Sequence, residues 1–189
     1  MDNRNALGII ELASIYKGFH VQDEILKSAD VEKLVGRTIC SGKYFIMVRG
    51  SAADVDVAIS VAKEVGGFAL VNCVSIPNVD ARVFPAIAGT TPLQIYNAKK
   101  IEAALIIETF SVVSAIKAAD SAVKEANVDI LRIHVAMATG GKGFVVFTGS
   151  VDALEAASRK AVESIKDDGM LCGSVILANP HPEVLIELL

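Results

Sequence analysis

Three cysteines are the residues here best able to hold a metal, and their settings differ. Cys40 lies in Ile39-Cys40-Ser41-Gly42-Lys43, a glycine turn between two apolar runs. A turn is an unusual place for a packing cysteine, and a thiolate there is a soft metal donor. The competing reading is a small apolar group turned inward. Cys73 and Cys172 fall in the last apolar run of each half and read as core packing. The odd count and the lack of any short Cys spacing rule out a disulfide framework and fit a reducing cytosol. His20, His134 and His181 share no ligand spacing, so zinc is not expected. His20 reads as a helix-face residue, His134 as an ordinary strand residue and His181 as part of a tail turn.

Other residue patterns exclude chemistry. Gly36 to Gly42-Lys43 has one residue too many for a phosphate loop, and Tyr44 stands where Ser or Thr would bind magnesium. Thr139-Gly140-Gly141-Lys142-Gly143 has Ala136 in place of the first glycine. Both segments run from strand to strand, with no helix N-terminus to receive an anion. No Ser-His-Asp set or catalytic carboxylate pair is present, and Glu11 and Glu108 read as structural, so no enzyme is expected.

The strands that carry these turns come twice. Gly8-Ile9-Ile10-Glu11 returns as Leu105-Ile106-Ile107-Glu108. The run Asp23 to Val31 returns as Asp120 to Val128, at the same offset of 97 residues (Glu11 to Glu108, Lys27 to Lys124). Gly42-Lys43 then matches Gly141-Lys142, Gly50-Ser51 matches Gly149-Ser150, and in the tails Asn78 and Val83 match Asn179 and Val184. Within the first copy, apolar runs predict strands over 6–11, 31–39, 44–48 and 68–76. Periodicity predicts helices over 16–29 and 51–65, the second opened by Ser51 with Asp54 three residues on and stopped by Gly66-Gly67. Four strands and two helices per copy make an α+β fold, an α/β sandwich of ferredoxin-like type, in tandem duplication. The expected domains are 5–88 and 103–189, with a linker at 89–102 broken by Gly89-Thr90-Thr91-Pro92.

The chain is 52% hydrophobic with mean hydropathy +0.49, yet Glu11, Lys27, Glu64, Glu108 and Arg132 interrupt every apolar stretch. None reaches the ~20 residues a membrane span needs, so no membrane partner is expected. The opening Met1-Asp2-Asn3-Arg4-Asn5 has no signal-peptide character. The surplus of Ala, Val and Ile reads as faces buried between subunits. A net charge of −4, a pI near 5.4 and no Trp argue against nucleic acid.

Taken together, the repeated Asp-x-x-x-Lys-x-Ala-(Asp/Asn)-Val helix end, the Gly-Lys turns and Asn179-Pro180-His181-Pro182-Glu183 resemble bacterial microcompartment (BMC) shell domains. Two in one chain resemble the tandem class of that family, in which three chains form a flat pseudohexameric trimer. Val35-Gly36-Arg37-Thr38-Ile39-Cys40-Ser41-Gly42-Lys43 is similar to the pore segment of its propanediol-utilisation iron–sulfur members. The likeness spans nearly the whole chain outside the linker and extreme termini. It departs at Ser41, where proline is usual, and at Asn78-Val79-Asp80, where Arg-Pro-His is usual.

The resemblance implies a shell tile in the bacterial cytoplasm, a homotrimer that partners other shell proteins and encapsulated redox enzymes. It implies a pore lined by Ile39, Ser41, Gly42, Thr139, Gly140 and Gly141, and tile-edge contacts at Lys27, Lys124 and Arg82. It also implies that Cys40 from each subunit holds a shared [4Fe–4S] cluster for electron transfer across the shell. Met137, aligned with Cys40, offers at best a weak thioether. Two alternatives stay open: a cluster-free tile with a metabolite-conducting pore, and a ferredoxin-like trimeric ligand-binding regulator.

Overall fold

A strand of seven consecutive buried residues can only sit inside a sheet covered on both faces, and the chain has one such strand at its start. The computed structural model describes residues 4–89, 91 and 101–188. Most of the expected linker lies outside the described residues, as do residues 1–3, on which the signal-peptide reading partly rests. The chain divides into two compact units, Met1–Val79 with Ala136–Gly141, and Asp80–Val135 with Lys142–Leu189.

In the first unit β1 (Ala6–Leu12) is followed by α1 (Ile15–Ser28), β2 (Glu32–Ile39), β3 (Lys43–Gly50), α2 (Ala52–Gly66) and β4 (Leu70–Ile76). The sheet order is β2-β3-β1-β4, antiparallel throughout, with Leu12 opposite Tyr44. This is the ferredoxin-like order that the alternation of elements predicts. Ile10, Leu12, Tyr44, Ile46 and Val48 from the sheet meet Val21 and Ile25 of α1 and Val55, Ala58 and Ala62 of α2 in one core. Ser51 caps α2, its side chain accepting from Asp54 N at 3.2 Å, and Gly67 ends it at φ 49°.

The second unit repeats the plan. It contains α3 (Val83–Ala88), β5 (Ala103–Thr109), α4 (Val112–Glu125), β6 (Asp129–Val135), β7 (Gly143–Gly149), α5 (Val151–Ser164), β8 (Leu171–Ala178) and α6 (Pro182–Leu188). Its sheet order, β6-β7-β5-β8, is the same as that of the first unit. Leu185 of α6 is buried against Ile101, Leu131 and Val146. The short helices α3 and α6 are not legible from periodicity, because each has two turns or fewer; Pro85 is tolerated because it falls in the first turn of α3. No described helix is long and apolar enough to cross a membrane.

Candidate functional site

The β2–β3 ladder runs to the pair Ile39 and Lys43, so the residues between must turn sharply. Cys40–Gly42 forms a single 3₁₀ turn in which Ser41 has φ 64° and Gly42 φ 69°. Proline is fixed near −65° and cannot take the Ser41 conformation, so serine here goes with a different turn from the one proline would make. Cys40 is half-buried at the start of this turn.

A second turn, 136–141, packs in the same unit. Cys40 N donates to Ala136 O at 3.0 Å, and Ala138 N donates to Cys40 Sγ at 2.9 Å. Ala136, Ala138, Gly140 and Gly141 all have positive φ, from 44° to 86°. For the two alanines this costs roughly 1–2 kcal/mol each, and such strain persists only where the surroundings hold it. Lys43 supplies part of that hold: its ammonium donates to Gly141 O at 3.2 Å and to Glu11 Oε1 at 2.8 Å. The Glu11 side chain is fully buried, so its charge depends on such partners. An N–H aimed at sulfur is the kind of outer contact that orients a metal-bound thiolate.

Of the expected pore residues, Ser41, Gly42 and Gly140 are exposed, Thr139 is half-buried, and Ile39 and Gly141 are buried. Met137 is half exposed. Cys73 is half-buried against the first core, and burial pushes its thiol up. Cys172 is likewise half-buried, on β8, and burial first, then the Glu108 carboxylate, push its thiol up. His20 is exposed on α1, His134 stacks on Phe144 at 4.9 Å, and His181 Nδ1 accepts from Glu183 N at 3.3 Å. No group of three or more His, Cys, Asp or Glu among the described residues could hold a metal within one chain.

The expected edge residues are engaged locally. Lys27 pairs with Asp23 at 2.5 Å and Glu24 at 3.5 Å, and the bond to Asp23 is the main reason its pKa is raised. Lys124 pairs with Asp120 at 2.6 Å. Arg82 grips Asp80 through Nε and Nη2, while Nη1 donates to Val128 O at 2.9 Å and Nη2 to Val123 O at 2.8 Å. These carbonyls lie at and just beyond the C-terminal end of α4, where a cation is favoured. The guanidinium holds the Asp80 carboxyl down at about 2.

Sequence reasoning finds Cys40 and misses what surrounds it. Ala138 acts through its backbone amide, which no residue type announces. The Lys43–Glu11 pair could have been read from the repeat, since Lys142 and Glu108 form its counterpart at 3.0 Å.

A family model described as "BMC domain" matches residues 6–79 and again 104–180. The bacterial microcompartment shell protein PduT of Citrobacter freundii is 40% identical over 176 residues, 93% of each chain. The crystal structure of a microcompartment protein from Desulfitobacterium hafniense superposes with TM-score 0.79 at 35% identity, covering 96% of this chain and 98% of that one. A fused, permuted hexameric shell protein of the RMM microcompartment, MSM0275, shares the fold at TM-score 0.61 and 18% identity, covering 89% of this chain and 87% of that one. With two BMC domains accounting for most of its length, the chain belongs to the bacterial microcompartment shell family in its tandem form, and is a structural protein rather than an enzyme.

Proposed function

We propose that three copies of this chain form a flat tile of a microcompartment shell, and that their Cys40 thiolates together hold one [4Fe–4S] cluster at the tile centre. The observation that carries this reading is the bond from Ala138 N to Cys40 Sγ, which presents a sulfur donor at a turn instead of packing it away. The donor set fits the group in kind: one thiolate per chain becomes three around a threefold axis, leaving one iron for solvent or a small ligand. It fits in supply as well, since no described cluster within one chain offers a competing site. The likeness to PduT over nearly the whole chain supports the tile.

When bound, the cluster would supply one-electron, outer-sphere transfer between the two faces of the shell. The residues of this chain do the rest. Cys40 ligates; the Ala138 amide orients its sulfur. Lys43 ties the 136–141 turn to buried Glu11, fixing where that amide points. Ser41, Gly42 and Gly140, all exposed, set how closely water approaches.

Anaerobic purification followed by iron and sulfide assay tests the reading. The expected result is one cluster per three chains, with a broad absorption near ~400 nm that Cys40→Ala abolishes. A trimer without iron above background would overturn the cluster and leave a tile with a metabolite pore.

A further inference from the structure

Cys40 is clasped by the 136–141 turn at two points that bracket Met137. Cys40 N donates to Ala136 O at 3.0 Å, and Ala138 N donates to Cys40 Sγ at 2.9 Å. The backbone of this turn changes hand from residue to residue: Ala136 has φ 44°, Ala138 φ 60° and Gly140 φ 62°, while Met137 and Thr139 between them do not have positive φ. Alternation of this kind turns successive N–H groups toward one side, and the resulting concavity favours negative charge, as in phosphate loops and iron–sulfur sites. Glycine takes positive φ freely and alanine does not, so local propensity does not explain two alanines in this conformation.

The strain goes with a division of labour between the two copies. Ser41 and Ala138 hold equivalent places, one residue after the aligned Cys40 and Met137, and turn alike at φ 64° and 60°. The first copy supplies the sulfur, and the second supplies the amide that meets it. The far end of the turn is held too. Gly141 O accepts from Lys43 Nζ at 3.2 Å, and a Cβ added at Gly141 would lie 3.3 Å from Lys43 Cε and Nζ and 3.4 Å from Cys40 O. Lys43 is paired with the fully buried Glu11 side chain, so its charge is matched while it fixes the turn, and the amide hydrogen is left to act on the sulfur.

We infer that Ala138 is a positioning residue that raises the reduction potential of the metal centre at Cys40 through its backbone N–H. This rests on the proposed [4Fe–4S] cluster and adds which group of the chain tunes it. When one electron passes to such a centre from a one-electron carrier, no bond forms or breaks, and part of the added negative charge falls on sulfur. A hydrogen bond strengthens as its acceptor gains charge, so the amide stabilises the reduced form more than the oxidised one. Three chains contribute three such bonds around one centre. The turn thereby favours taking electrons from a carrier over returning them.

Two measurements test this, the first without metal. In the full chain stripped of iron, Cys40→Ala should speed hydrogen exchange at the Ala138 amide by about tenfold, the scale of one hydrogen bond. For the second, Ala138→lactic acid, introduced by nonsense suppression, replaces the amide with an ester of the same shape that has no N–H. Reconstituted trimers of this variant should keep their iron while the midpoint of an optical redox titration falls by about 59 mV, a tenfold change in the oxidised-to-reduced ratio for one electron. Ala138→Gly keeps the N–H and relieves the strained φ, so its potential should fall much less. A fall as large as that of the ester would assign the effect to stiffness of the turn and overturn the inference. Exchange indifferent to Cys40→Ala, or an ester variant that holds iron at the parental potential, would overturn the role of Ala138 while sparing the cluster. A parent trimer that binds no iron would overturn both.

Discussion

Equivalent residues in the two copies carry unequal weight, and burial decides which matter. Lys43–Glu11 and Lys142–Glu108 are the same pair in sequence, at 2.8 and 3.0 Å. The Glu11 side chain is fully buried, whereas that of Glu108 is 45% exposed. Removing the ammonium from a buried carboxylate costs about 3–5 kcal/mol, whereas an exposed pair contributes under ~1 kcal/mol. Lys43→Met should therefore lower the urea midpoint clearly and Lys142→Met scarcely at all; equal effects would show that the 136–141 turn does not depend on this anchor. Asp80 gives a prediction in pH. Its carboxyl is held at about 2 by Arg82, below its ordinary 3.8, so folding favours the charged form. The stability it contributes is present above pH ~4 and is lost as pH falls toward 2. Asp80→Asn should melt at a lower temperature than the parent at pH 6, and the two melting temperatures should converge near pH 2. A gap that persists unchanged at pH 2 would assign the effect to packing.

The elements were legible to the extent that their patterns are local. The eight strands and four long helices among the described residues follow from alternation, helical period, the Ser51 cap and the Gly67 stop, because each signal lies within a few residues of what it controls. What sequence could not show is how the elements fit, and Gly18 is the clearest case. A Cβ at Gly18 would lie 2.2 Å from the buried Tyr44 ring, so α1 rests directly on β3 there. The second copy solves the same contact by exchange: Ala115 replaces the glycine and Gly143 replaces the tyrosine, with 3.1 Å between Ala115 Cβ and a Cβ built at Gly143. Gly18→Ala thus sets helix propensity, a gain of about 1 kcal/mol, against overpacking that typically costs about 1–3 kcal/mol. Tyr44 would have to shift at its own Cβ, where there is little freedom, so overpacking wins and the variant should be the less stable in urea. A more stable variant would mean that α1 slides freely over the sheet. The candidate site was half legible for the same reason: Cys40 is a residue type in a local turn, whereas Ala138 reaches it from 98 residues away.

For the whole molecule, duplication lets one chain carry two versions of every surface and differentiate them. Only the first copy has a cysteine in its turn, so the proposed ring of three chains would have three thiolates rather than six, the number that the proposed cluster with one open iron requires. The proposed tile edge works the other way, because both copies keep the lysine expected there. Lys27 and Lys124 each pair with an aspartate one helical turn back and remain partly exposed, so each can lay its stem along a neighbouring tile. A single such contact is worth less than ~1 kcal/mol, too little to hold two proteins together. A tile repeats it on every edge, and once one edge engages, the others bind at high effective concentration. Sheet formation should therefore respond steeply to a change that barely affects the trimer. Lys27→Ala combined with Lys124→Ala should give trimers of normal mass and near-normal thermal stability that no longer form flat sheets under the electron microscope. Sheets of unaltered extent would place the adhesive edge elsewhere, and loss of the trimer would mean that these lysines hold chains together rather than tiles.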